Sequence, residues 1–275
     1  MAGGKTYLES DPIGLSDYYT SYMDAKNQEN TNERYVGKEG YYHASGAGFC
    51  SRKLYYQSIE KAEPSNVTPS VGKFRMRFGS IFHDDFQDAL VNNINMLTNT
   101  NIYSNIKNKE KKHLKKKKVK FHVEQEIVIP ELNVRGFYDI VAQQDEKGEE
   151  KVYLYDLKTI ASFGWSKSFG RDITNDHENY KLQLGTYGLA VKEQFGRLDG
   201  MYLYFYNKDT SAMKNVFVGD NYLGLARNYW RNIIREHEKG LPDFIPGISP
   251  VEKWACGYCD FKDHCNPPDY KNKVR

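Results

Sequence analysis

The hydrophobic positions of the chain change period several times, and each change marks an element. Over residues 77–97 apolar residues recur at helical spacing (Phe78, Ile81, Phe82, Phe86, Ala89, Leu90), which predicts a helix. At Val119 the period drops to two. Val119, Phe121 and Val123 alternate with Lys120, His122 and Glu124, and the strand pattern runs on through 127–129 to Pro130. Residues 132–144 read as a second strand, QDEKGEE as a tight turn and KVYLYDLKTI (151–160) as a third strand, so the three form an antiparallel meander. A helix follows over 177–195, then strands in GMYLYFYNK and KNVFVG, then a long helix over 220–240. Helix, three strands, helix and strand predict an α/β protein with a central mixed sheet flanked by helices.

Residues 1–44 are polar and weakly periodic, an extension or a set of short helices ahead of a core at 45–241. Residues 242–275, with three of the four cysteines, form a small C-terminal lobe. At 275 residues the chain can bury a substantial core. No apolar run reaches the roughly 20 residues of a membrane span, and the N-terminus lacks a signal-peptide core. A cytoplasmic protein is expected, in the host cytoplasm if the source is viral. The net charge of +3 hides an uneven distribution. The segment KNKEKKHLKKKKVK (107–120) holds nine lysines and one glutamate, a local +8 that leaves −5 for the rest. A lysine-rich loop at about 104–118 therefore suits a local contact with a polyanion such as DNA.

The third strand carries the sharpest chemistry. Alternation puts Asp156 and Lys158 side by side on one sheet face, with Tyr155 and Leu157 on the other. A carboxylate that holds a hard cation, beside an ammonium that stabilises developing negative charge, suits phosphodiester hydrolysis. One carboxylate holds such a cation weakly. Asp139, on the neighbouring strand after Gly136-Phe137-Tyr138, is placed to supply another. His83 follows Gly79 at helical spacing on the first helix, and Gln183 and Tyr187 share a face of the second. Beyond the third strand, Phe163, Trp165 and Phe169 interleave with Lys167 and Arg171. That pattern fits either stacking on a single strand or packing against the sheet edge.

Cys256, Cys259 and Cys265 are spaced C-x2-C-x5-C, and Cys50 lies far upstream. Three clustered thiols with one distant partner fit a tetrahedral zinc site or a [4Fe–4S] cluster, and spacing alone leaves both open.

Taken in order, G-x-x-x-H, G-x-x-D, D-x-K and Q-x-x-x-Y make the chain resemble the RecB-type nucleases of the PD-(D/E)XK superfamily. These include the nuclease module of AddB and the CRISPR-associated spacer-acquisition exonucleases. The likeness runs from about Ser45 to Cys265. It implies a restriction-endonuclease-like core and a DNA nuclease acting on ends or single strands. His83, Asp139, Asp156 and the Leu157 carbonyl would hold Mg²⁺ or Mn²⁺, with Lys158 catalytic and Gln183 and Tyr187 positioning the DNA and the active site. It also implies an iron–sulfur cluster on Cys50, Cys256, Cys259 and Cys265, because Cys50 sits in a Cys-x-Arg/Lys-x-x-Tyr-Tyr segment (CSRKLYY). A recombination or CRISPR-adaptation protein is the partner such a chain would have. The contrasting expectation is a non-catalytic nucleic-acid-binding subunit that keeps the same fold.

Overall fold

The computed structural model describes residues 15–35, 40–66, 70–98, 119–244 and 253–265. The lysine-rich segment 104–118 lies outside them. The elements are α1 (Leu15–Tyr35), β1 (Tyr42–His43), α2 (Ser51–Tyr55), α3 (Ser70–Thr98), β2 (Val119–Ile129), β3 (Val134–Glu146), β4 (Glu149–Ile160), α4 (Ser162–Phe169), α5 (Glu178–Phe195), β5 (Gly200–Asn207), β6 (Met213–Val218), α6 (Asn221–His237) and α7 (Lys262–Cys265). The meander forms as alternation predicts: β2 pairs antiparallel with β3, and β3 with β4. Lys147 and Gly148 both adopt positive φ in the β3–β4 turn, the tight hairpin that follows the right-handed twist of its strands. β5 then lies parallel to β4 and β6 antiparallel to β5, which makes the sheet mixed.

Helices cover opposite faces. On β5 the even residues meet α3: Phe82 stacks on Tyr206 with ring centroids 4.2 Å apart, and Phe86 lies 5.5 Å from Tyr204. The odd residues meet α5 and the residue before it, where His177 and Tyr180 pack on Phe205. Strand alternation therefore separates the two helices by the thickness of the sheet. Beneath α5 the core gathers Leu154, Met201, Leu203 and Phe205 with Leu184, Tyr187 and Val191. On the far side of α5, α6 buries Trp230, whose indole donates to Thr186 Oγ1 at 2.9 Å. At Gly185 a Cβ would come within 2.4 Å of the Tyr222 carbonyl, so the two helices touch backbone to backbone there.

Three features differ from the sequence pattern. The N-terminal region contains one 21-residue helix, α1, docked on α3 by an Asp24–Lys73 ion pair at 2.8 Å and a Tyr19–Phe74 ring contact. α3 begins seven residues earlier than its apolar periodicity, and Lys73 and Phe74 of these first turns face α1. Finally, β1 is only two residues long and pairs in parallel with the start of β3. Two residues are too short a run for alternation to show.

That small strand shapes the sheet. Along one edge β3 pairs with β2 from Val134 to Gln144, with the rung at Asp139 missing. Along its other edge it meets β1 at Val134 and Arg135, and β4 only from Ile140 onward. Gly136 to Asp139 face a fork between the two. The chain from β1 to Cys50 closes against this region. Gly48, at φ +80°, lies so near α5 that a Cβ would fall 2.7 Å from Asn179 Cα. Gly48→Ala should cost about 2 kcal/mol or more, from backbone strain and that clash. A fall in thermal midpoint of roughly 4–8 °C is the check, read by circular dichroism.

Candidate active site at the strand fork

Asp139 and Asp156 arrive at the fork from β3 and β4. Asp139 Oδ2 accepts a hydrogen bond from the Leu157 amide at 2.6 Å, which ties the two strands where their ladder ends. His83 Nδ1, from α3, stands 3.7 Å from Asp139 Oδ1. From the opposite face of the sheet, Lys158 Nζ lies 2.6 Å from Asp156 Oδ2 and donates to Gln183 Oε1 at 3.3 Å. Gln183 in turn donates to the Tyr187 hydroxyl at 3.0 Å. The ring of Tyr180 packs beneath the ammonium, 4.9 Å from Nζ to the centroid. Every residue singled out in the four sequence motifs therefore belongs to one connected group.

Its electrostatics are those of a site short of positive charge. Burial, with the nearby Asp156 carboxylate, pushes the Asp139 carboxyl well above its ordinary value. Burial alone would lower Lys158, but Asp156 and Asp139 hold it above the usual lysine range, so it is fully charged at neutral pH. His83 is pushed down by burial and by Lys158, which leaves a neutral imidazole able to act as a ligand. Asp156 is 1% exposed, and neither of its carboxylate oxygens accepts a hydrogen bond of normal geometry; only the ion pair with Lys158 reaches it. A buried carboxylate in this condition has lone pairs to offer. The donor set, carboxylates with one imidazole, fits a hard divalent cation.

Two members of the group were not recognised in the sequence. Glu124, on β2, places a carboxylate oxygen within 4.8 Å of ligand atoms of both His83 and Asp139. Gln87 donates one amide to Glu124 Oε1 and to the Asp139 carbonyl, at 3.2 Å each. Gln87 had a usable signal, since it lies one helical turn after His83 on the same face. Glu124 had none: alternation assigned it only to the polar side of its strand.

Directly after β4, α4 divides its aromatics. Trp165 and Phe169 pack edge to face at 4.8 Å and lean on the core, whereas Phe163 is 73% exposed with Lys167 Nζ 4.3 Å above its ring.

Away from the fork, Cys50 and the three C-terminal cysteines line a single cavity of about 190 Å³, with Phe49, Tyr56 and Phe261 among its walls. Ser65 and Asn66 fasten the C-terminal segment by donating their amides to the Asp260 carbonyl. Burial pushes the Cys259 and Cys265 thiols up. Behind Cys50, Tyr229 donates to the Phe49 carbonyl at 2.8 Å, and the buried His237 bonds to the Ser51 carbonyl at 2.9 Å.

The sequence profile of the PD-(D/E)XK nuclease superfamily matches residues 99–266, which span β2 to α7 and include Asp139, Asp156, Lys158, Gln183 and Tyr187. The chain belongs to this superfamily. Among solved structures, this PD-(D/E)XK protein is similar to SSO0001, at 15% identity and a TM-score of 0.51, over 91% of this chain and 95% of that one. That likeness is one of fold. It also aligns with a candidate exonuclease from Eubacterium rectale at 15% identity and a TM-score of 0.47, over 86% of this chain and 93% of that one. No curated protein sequence matches it. No helix among the described residues of this PD-(D/E)XK nuclease is long and apolar enough to cross a membrane.

Proposed function

We propose that the chain is a Mg²⁺- or Mn²⁺-dependent deoxyribonuclease that works on DNA ends or single strands. One observation carries the reading: a buried Asp156 carboxylate without a normal hydrogen bond, beside a charged Lys158, at the fork where Asp139 also arrives. Asp139, Asp156, His83 and the Leu157 carbonyl would hold the cation. When bound, it would supply Lewis-acid charge to the scissile phosphate and acidify a water. Lys158 then faces the phosphate with a full positive charge and stabilises the extra negative charge of the pentavalent transition state. Gln183 and Tyr187 fix the ammonium in place, since a long flexible side chain is otherwise spread over many rotamers. A cleavage assay on end-labelled single- and double-stranded DNA with Mn²⁺ or Mg²⁺ tests the reading, with Asp156→Ala as the control. Equal cleavage by that variant would exclude it.

The single-strand preference draws support from α4. An exposed phenylalanine carrying a lysine over its ring, directly beyond the catalytic strand, offers a base a stacking surface and a phosphate a charge. Phe163→Ala should raise KM for single-stranded DNA about tenfold, since base–aromatic stacking contributes roughly 1–3 kcal/mol. Steady-state kinetics check it, with kcat expected to stay within about twofold because the loss falls on ground state and transition state alike.

For the cysteines the reading is a structural [4Fe–4S] cluster. All four line one cavity. Cys50 in its Cys-x-Arg/Lys-x-x-Tyr-Tyr segment with the C-x2-C-x5-C set resembles the iron–sulfur branch of the family, which favours the cluster over zinc. Arg52 and Lys53, beside Cys265 and along the cavity, would balance the negative charge of four thiolates.

A further inference from the structure

Glu124 has a backbone that its sequence does not explain. It sits in the interior of β2 at φ +47°, in the left-handed region that disfavours any residue with a Cβ. The other non-glycine residues of this kind among those described, Lys61, Asn133, Lys147, His177 and Ser211, lie in turns or at helix ends. The ladder is interrupted at the same point. Val123 pairs with Ile140 and Gln125 with Tyr138, but the rung between them, where Glu124 would oppose Asp139, is missing. A strained residue that breaks a buried ladder persists only where its surroundings enforce it.

Here the surroundings converge on one point. Glu124, Asp139 and His83 bring ligand atoms within 4.8 Å of one another, and the single amide of Gln87 holds both the Glu124 carboxylate and the Asp139 carbonyl. Next to them stands Asp156, 1% exposed and without a normal hydrogen bond. Three carboxylates facing one lysine leave a net charge of −2, which one divalent cation neutralises.

We propose that Glu124 is a third carboxylate ligand of the cation site, held there at the cost of a left-handed backbone in β2. The proposal rests on the metal-dependent reading above and adds a residue to it. In a regular ladder Glu124 would stand opposite Asp139 with the rung made; here the rung is lost and the backbone is left-handed, yet its carboxylate lies close to ligand atoms of Asp139 and His83. The Gln87 amide keeps its carboxylate there. Oxygen donors from Glu124 and Asp139 suit Mg²⁺ and Mn²⁺ alike, and the imidazole favours Mn²⁺ of the two.

The test is a calorimetric titration of the full chain with Mn²⁺ after divalent ions have been removed on a chelating resin. Melting curves without metal accompany it. Glu124→Gln keeps the shape and the Gln87 contact but loses the charge. It should bind Mn²⁺ at least about tenfold more weakly, with an unchanged metal-free melting temperature. Glu124→Gly suits the left-handed conformation. It should melt higher than wild type without metal, yet show the same loss of Mn²⁺ affinity. Mn²⁺ affinity within twofold of wild type in either variant overturns the proposal. So does a lower metal-free melting temperature in both with unaltered affinity, which marks Glu124 as structural. Neither result touches the nuclease reading, which fails separately if wild type binds no Mn²⁺ or Asp156→Ala still cleaves.

Discussion

Replacing Asp156 with asparagine is expected to reduce metal-dependent cleavage by at least about 10³-fold, more than the loss of one electrostatic donor to a transition state. The variant keeps the side-chain volume but removes a charge from both the cation and Lys158. Lys158→Met should cost about 10²–10³-fold by itself, because the phosphate loses its fixed positive charge. The two variants should part company in stability. Lys158→Met leaves Asp139 and Asp156 buried close together without a cation, which disfavours the metal-free fold. Added Mn²⁺ should therefore raise its melting temperature by more than it raises that of wild type. For Asp156→Asn the repulsion is relieved, and the Mn²⁺ response should shrink instead. Single-turnover cleavage together with melting curves with and without Mn²⁺ separates the cases. The pH dependence has a defined sign. The Asp139 carboxyl is raised in the folded state, so metal-free stability falls as pH rises from the ordinary aspartate value toward the raised one.

Losing one cysteine should have the larger effect on folding. A cluster held by Cys50 and Cys256 closes a loop of about 200 residues, and the chain-entropy relation for such a cross-link gives roughly 5 kcal/mol. Cys50→Ala should thus lower the melting temperature of anaerobically purified protein by roughly 10–20 °C. It should also abolish the broad absorbance near ~400 nm expected of thiolate-to-iron charge transfer. Stoichiometric zinc without iron in wild type would end the cluster reading but leave the nuclease reading intact. Some loss of activity should follow in Cys50→Ala, because Gly48 lies against Asn179 at the start of the helix that carries Gln183.

How much of this was legible in the sequence depends on the range of each interaction. Period-two alternation located β2, β3 and β4 and put Asp156 beside Lys158, because a strand's facing is a local property. Helical spacing brought Gln183 and Tyr187 onto one face, where they are bonded at 3.0 Å. Alternation gave Glu124 only as one more polar strand position, because a left-handed residue within a strand leaves no trace in the pattern. Trp165 and Phe163 look alike in a basic aromatic segment. Only the docking of α4 made one a packing residue and left the other exposed.

The sequence by itself determined the order of elements, the meander and the residue types of the site, all of which follow from periodicity within one segment. It left open whether the four cysteines share one cavity, where the ladder between β3 and β4 ends, and which carboxylates meet His83. Those depend on contacts between segments up to two hundred residues apart. The fork needs β1 to pair with the first residues of β3 and β4 to join only at Ile140. The meeting of Glu124 and Asp139 with His83 needs α3 to pack on β2 and β3, where Gln87 bonds to both strands. Such arrangements arise from packing across the sheet, and no local pattern encodes them.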